Sequence, residues 1–308
     1  MPLSRRRPLA RGPTVPARAR TGRSGGHPRP ARPRSGRAAR RSRAKAGPCD
    51  GWGAVTQGRI ARNGYSLRYA DTGRGEPVFL CIHGLADTLE VWDALAGPLA
   101  ERGRVVRIDQ RGHGESGAQP GPCTREDLAR DAISVLDALV IDRAIVVGHS
   151  VGGIVAMAAA LGAPERVAGL VLIGTASRCS ERTAAWYERI ALAAEQHGGD
   201  GLVRAIYGEE SRRRARGDAR AIAHVARMLT SLYSDPLTPK LPAIACPVLL
   251  LVGEKDRMGP KASQTIRDAL PPGRAELVVM PGCGHWPQLD VPGDVIGALD
   301  RWRAKEGL

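Results

Sequence analysis

The chain has 308 residues, with 46 Lys and Arg against 31 Asp and Glu, giving a formal charge of +15. Residues 1–48 hold fourteen Arg, one Lys and no acidic group, so the rest of the chain balances at 31 basic and 31 acidic residues. A neutral body lacks the clustered positive face that neutralises phosphates, so any nucleic-acid contact is assigned to the tail alone.

Residues 1–48 consist mainly of Arg, Pro, Gly, Ala and Ser with no aromatic side chain, and are expected to be disordered for want of apolar area to bury. Ser4-Arg5-Arg6-Arg7-Pro8 is similar to a twin-arginine signal, but no apolar stretch follows it, which argues against export. These residue types draw on GC-rich codons, and domain-like patterning begins only near Val55, whose codon could be a GTG start. The tail is therefore expected not to be made at all. No apolar run reaches the ~20 residues of a membrane span. Six scattered cysteines show neither paired nor metal-ligand spacing, which fits a reduced, cytoplasmic compartment.

From Val55 onward, short β-branched runs alternate with longer amphipathic stretches. Strands are predicted at 55–61 and 65–70, joined by the turn-forming pair Asn63-Gly64. Further strands are predicted at 78–82, 105–108, 144–147, 170–173, 248–252 and 276–280, all continuous apolar runs of the kind buried on both faces of a parallel sheet. Helices are predicted at 91–102, 124–140, 151–162, 260–270 and 293–304. The fold class is α/β: an eight-stranded, mostly parallel sheet with helices on both faces. The domains follow as a core of 55–174 and 244–305, with 175–243 as a helical cap inserted after strand 6. Within the cap, Trp186, Ile190, Leu192 and Ala194 fall on helical spacing, and Arg212-Arg213-Arg214 with Arg216 reads as a solvated helix face among Glu209, Glu210 and Asp218.

Gly148-His149-Ser150-Val151-Gly152 lies between the strand at 144–147 and the helix at 151–162. A serine on such a strand-to-helix turn stands at the carboxyl edge of the sheet, and the small residues around it let backbone and substrate approach. A serine hydroxyl is a weak nucleophile until a base, itself oriented by an acid, takes its proton. Asp256 follows the strand at 248–252 and His285 follows the strand at 276–280, giving the chain order Ser, Asp, His. Glu254 is the rival acid. Among the other histidines, His83 and His113 sit in Gly-rich turns and are read as loop braces, and His149 as a local packing residue. The backbone N–H groups of Val151 and of Leu85, in His83-Gly84-Leu85-Ala86-Asp87, are candidates to hold an oxyanion. Trp186, Tyr187 and Trp286 are candidate pocket walls, with core packing as the competing role.

His83-Gly84, the turn from Asp109 to Ser116, the Ser150 elbow, Asp256 and His285, taken together and in this order, resemble the α/β-hydrolase fold family over about residues 55–305. The resemblance implies a hydrolase acting on carboxylic ester bonds through an acyl-enzyme, with a small-molecule ester or lactone as substrate and with no cofactor, no metal and no membrane partner. Serine at position 150 excludes the dehalogenase and epoxide hydrolase branches, which use Asp there. The start of the cap, from Gly174 through Trp186 to Gly198-Gly199, is similar to 3-oxoadipate enol-lactonases. Haloperoxidase-like esterases and carbon-carbon bond hydrolases share the same triad, and a ligand-sensing member with slow turnover is the alternative of a different kind.

Overall fold

The computed structural model describes residues 55–308. The expectations for the tail at residues 1–48 lie outside these residues. In chain order the elements are β1 (Thr56–Arg62), β2 (Tyr65–Asp71), β3 (Val78–Ile82), α1 (Asp93–Ala100), β4 (Arg104–Ile108), α2 (Arg125–Ala138), β5 (Ala144–His149), α3 (Val151–Gly162), β6 (Val167–Ile173), α4 (Glu181–Tyr207), α5 (Ala219–Met228), α6 (Ser231–Ser234), β7 (Val248–Gly253), α7 (Gly259–Ala269), β8 (Ala275–Met280), α8 (Pro287–Asp290) and α9 (Pro292–Glu306). The strands form one eight-stranded sheet in the order β1-β2-β4-β3-β5-β6-β7-β8. Pairing is antiparallel between β1 and β2 and between β2 and β4, and parallel from β4 through β8.

Side chains alternate between the two faces of a strand, so each apolar run feeds two cores. Leu80, Ile82, Val106, Val146, Leu170, Leu172, Val248 and Leu250 join one cluster with α2, α3 and the helices that follow β6. Their neighbours Phe79, Cys81, Val105, Ile145, Val147, Val171, Leu249 and Leu251 join the other, under Trp92, Leu95, Leu99, Leu299 and Trp302 of the α1 and α9 regions. All five residues of β3 and all six of β5 are buried, which is why 78–82 and 144–147 read as unbroken apolar runs.

Between β6 and β7 the chain makes a helical insertion. α4 opens on Ser180, whose side chain accepts from the Thr183 amide, and α5 opens on Asp218, which accepts from the Arg220 and Ala221 amides. α4 is broken at Gly198, where φ is 61° and ψ is −146°, a conformation that glycine adopts without steric cost. Leu192, expected on the apolar side, is instead 42% exposed. The basic run differs more: residues 208–217 contain no helix, because α4 ends at Gly208 and the chain turns again at Gly217, both at positive φ. Arg212–Arg216 is therefore a loop between α4 and α5 and not a helix face. No helix among the described residues is long and apolar enough to cross a membrane.

Candidate active site

Ser150 terminates β5 and precedes α3 with φ 52° and ψ −115°, left-handed values that cost a non-glycine residue energy and that cluster at functional sites. The neighbouring glycines make this turn possible. A Cβ at Gly148 would collide with the Gly152 carbonyl, and one at Gly152 would collide with the Ile82 carbonyl and lie 2.7 Å from the His83 oxygen. A Cβ at Gly153 would lie 2.7 Å from the Thr175 side chain. The Ser150 amide donates to the Ile173 carbonyl at 2.9 Å, and Thr175 Oγ1 donates to the Ser150 carbonyl at 2.7 Å. Ser150 makes no side-chain capping bond to α3.

Two strands away, the loop after β7 carries Asp256 and the loop after β8 carries His285. Nδ1 of His285 donates to Asp256 Oδ2 at 2.8 Å. The Asp256 side chain is 1% exposed and its other oxygen accepts from the Met258 amide at 2.9 Å. The rival acid Glu254 points elsewhere, accepting from the Gly282 amide at 2.9 Å. With Nδ1 committed to the carboxylate, His285 keeps Nε2 for proton transfer, and its side chain remains 23% exposed.

His149, read from sequence as a local packing residue, ties this loop to the elbow. Its ring is 1% exposed and lies 4.8 Å from that of His285, and Nε2 donates to the His285 carbonyl at 2.8 Å. That bond fixes the tautomer, so Nδ1 carries a lone pair. No partner donates to it, and Asp87 Oδ2 lies 3.8 Å away. Burial, then the neighbouring His285, hold the His149 imidazole well below its ordinary pKa, so it stays neutral.

The loop after β3 leans on the same ring: a Cβ at Gly84 would lie 2.8 Å from His149 Nδ1. His83 donates from Nδ1 to the Gly84 carbonyl at 2.7 Å and accepts from the Gln110 amide at 3.0 Å. Burial lowers its pKa to about 4, so it braces the loop in its neutral form. The turn from Asp109 to Ser116 is held similarly. The Asp109 carboxylate accepts from the Leu89 and Glu115 amides at 2.8 and 3.0 Å, and Ser116 Oγ donates to the Asp109 carbonyl at 2.7 Å. Leu85 packs against the core from a partly buried position. Val151 is the first residue of α3, so its amide is one that the helix leaves without an internal acceptor.

Of the candidate pocket walls, Trp286 stands edge-on to His285 at 4.9 Å and donates from Nε1 to Asp87 Oδ2 at 3.2 Å. Tyr187 is buried in the larger core with Trp186 stacked 5.1 Å from it at the core margin, and burial raises the Tyr187 phenol with Asp256 among the charges acting on it. Sequence reasoning passed over Asp87, a mostly buried acid whose carboxyl is pushed up by burial against the opposing pull of Trp286 and Arg213. Its only sequence signal is its place two residues after Leu85. Among the described residues no three His, Cys, Asp or Glu side chains group so as to hold a metal ion.

This sheet order and strand-end elbow define an α/β hydrolase, and the chain belongs to the alpha/beta hydrolase family, which matches residues 79–298. A pimeloyl-[acyl-carrier protein] methyl ester esterase of Nitrosomonas europaea is 31% identical over 261 residues, covering 76% of this chain and 98% of that protein. A thermophilic esterase from Thermogutta terrifontis, solved with malate bound, superposes with a TM-score of 0.72 at 29% identity over 81% of this chain and 98% of that one. The enol-lactonase from Burkholderia xenovorans LB400 shares the fold, with a TM-score of 0.71 at 24% identity over 80% of this chain and 99% of that one.

Proposed function

We propose that the protein is a serine hydrolase that cleaves small carboxylic esters or lactones through an acyl-enzyme. The observation that carries this reading is the 2.8 Å bond from His285 Nδ1 to buried Asp256, on a loop that His149 docks onto the Ser150 elbow. In the proposed reaction Ser150 Oγ attacks the substrate carbonyl while His285 Nε2 takes its proton. Asp256 holds the imidazole in the required tautomer and balances the imidazolium that forms. The N–H groups of Leu85 and Val151 donate to the oxyanion of the tetrahedral intermediate. Collapse of that intermediate breaks the ester C–O bond, and the imidazolium protonates the departing alcohol oxygen. Water, deprotonated by the same nitrogen, then attacks the acyl-enzyme and releases the acid and Ser150.

The insertion at 175–243 serves in this reading as the cap over the acyl pocket, with Trp286 and the Trp186–Tyr187 pair as walls. The esterase relatives support an ester substrate, and no step requires a metal or an organic cofactor. A fluorophosphonate probe should label Ser150 in the wild-type protein and not in Ser150→Ala, and the wild type should turn over short-chain esters repeatedly. A folded wild-type protein that is neither labelled nor active on a panel of esters graded by acyl length, with an enol-lactone included, would overturn the reading.

A further inference from the structure

The loop of residues 208–217 shares a cleft of about 300 Å³ with the chain after β3. Its lining includes Asp87, Glu90, Tyr207, Arg213, Arg214 and Arg216. The Arg213 guanidinium carbon lies 4.7 Å from the Tyr207 ring and 4.3 Å from the Trp286 ring, whose centroids are 5.8 Å apart. Both rings therefore flank the cation, and the side chain stays 41% exposed. Part of the guanidinium is engaged by the Tyr207 side chain, and the N–H groups that remain match a carboxylate in a bidentate fork.

The carboxylate that Arg213 faces in this structure is a poor acceptor. Asp87 Oδ1 lies 3.5 Å away, at the outer limit of hydrogen bonding, and Asp87 is already engaged by Trp286 Nε1. Glu90, the other acid of the cleft, is taken up by Arg68 at 2.8 Å and by the Thr88 hydroxyl. Three guanidinium groups thus line one cleft with two carboxylates, each of which already has another partner. Trp286, the floor under Arg213, stands edge-on to His285 at 4.9 Å, so the cleft lies one aromatic ring away from the proposed base.

We propose that Arg213, on its platform of Tyr207 and Trp286, binds a carboxylate carried by the substrate, so that the preferred substrates are half-esters of dicarboxylic acids. The proposal rests on the ester-hydrolase reading of Ser150 and His285 and adds the class of acyl group. The incoming carboxylate takes the in-plane N–H groups that Asp87 engages weakly, and Arg214 and Arg216 add to the attraction along the cleft. The rings hold the guanidinium before the ligand arrives, which lowers the ordering cost of binding. Because the width of Trp286 separates the cation from His285, the carboxylate must be several bonds from the scissile carbonyl. Selectivity should therefore pass through an optimum of chain length.

The test compares kcat/KM for the monomethyl esters of straight dicarboxylic acids, from succinate to suberate, with the methyl esters of monocarboxylic acids of the same length. The half-ester of optimal length should be preferred over its neutral counterpart at least tenfold, with most of the difference in KM. Arg213→Gln should bring that ratio close to one, and Arg213→Lys should restore part of it by charge without the fork. Calorimetric binding of the free dicarboxylates gives a readout independent of turnover and should weaken at least tenfold in Arg213→Gln. Equal rates on charged and neutral esters at every length would overturn the proposal, as would a preference that persists in Arg213→Gln. Equal losses on both ester types in that variant would also overturn it, leaving Arg213 as a clasp between the loop and Asp87. If no ester is cleaved and Ser150 is not labelled, the ester-hydrolase reading fails, and the calorimetry still decides whether Arg213 holds a carboxylate.

Discussion

His149 offers a perturbation that separates the positioning of the base from the chemistry of the base. Its Nε2–H donates at 2.8 Å to the carbonyl of His285 in a part-buried hydrogen bond, and the ring is 1% exposed. In His149→Phe an aromatic ring, somewhat larger than imidazole, is kept and the donor is lost, leaving the part-buried His285 carbonyl without it at a cost of about 1–3 kcal/mol. Part of that cost is relieved if the His285 loop shifts, and the shift moves the base relative to Ser150. Each ~1.4 kcal/mol of lost transition-state stabilisation is a factor of ten, so kcat should fall by roughly 10- to 100-fold with KM changed far less. His149→Gln, which presents an amide N–H at a similar reach, should recover most of the rate. The assay is steady-state kinetics on a short-chain ester, with thermal unfolding of each variant in parallel. A phenylalanine variant with wild-type kcat and merely a lower Tm would refute the positioning role and reduce His149 to packing.

Asp256→Asn should lower kcat by about 10⁴ while the protein stays folded, because the amide no longer selects the Nδ1–H tautomer; Glu254→Gln should retain near-normal kcat, and the opposite pattern in the same ester assay would exchange the two roles. Burial lowers the pKa of His83 from 6.5 to about 4 and that of His113 from 6.5 to about 3. The unfolded chain therefore binds protons below pH 6.5 that the folded chain refuses, and stability is lost as pH falls from 6.5 toward those folded values, on the order of 3 kcal/mol for His83 alone. A Tm that stays level between pH 7 and pH 4.5 would contradict this. Gly152→Ala drives a Cβ into the Ile82 carbonyl and to 2.7 Å from the His83 oxygen, both backbone atoms that cannot swing away. Its expected cost is about 3 kcal/mol or more, read as a drop in Tm or a failure to accumulate folded protein.

The sheet was legible because parallel strands covered on both faces leave an unmistakable trace: Val78–Ile82 and Ala144–His149 are buried throughout, and up to the polar His149 their sequences are apolar. The elbow was legible because two backbone collisions demand glycine at 148 and 152. The proposed acid and base each follow a strand, and the sheet order brings β7 and β8 side by side, so Asp256 and His285 meet although 29 positions separate them. The basic loop escaped the same reasoning. Its conformation is set by positive φ at Gly208 and Gly217, and the contact of Arg213 with Trp286 joins distant parts of the chain that no local period relates. His149 was read as a local packing residue and Asp87 was passed over, because the role of each lies in which loops it touches, and nothing in their own neighbourhoods records it.

The helical insertion enters between β6 and β7, which remain directly hydrogen-bonded to one another from Leu170 with Val248 to Ile173 with Leu251. The two ends of the insertion are thus held together by the sheet itself, and the intervening length is invisible to the strands; loop-closure entropy grows only slowly with added residues. Arg213 and Tyr207 belong to that stretch, whereas Ser150, Asp256 and His285 belong to strand ends. On the proposed roles, mutation can rewrite what the protein grips without disturbing how it breaks a bond, and an exchange of residues 175–243 with those of a related hydrolase becomes a natural route to altered substrate choice.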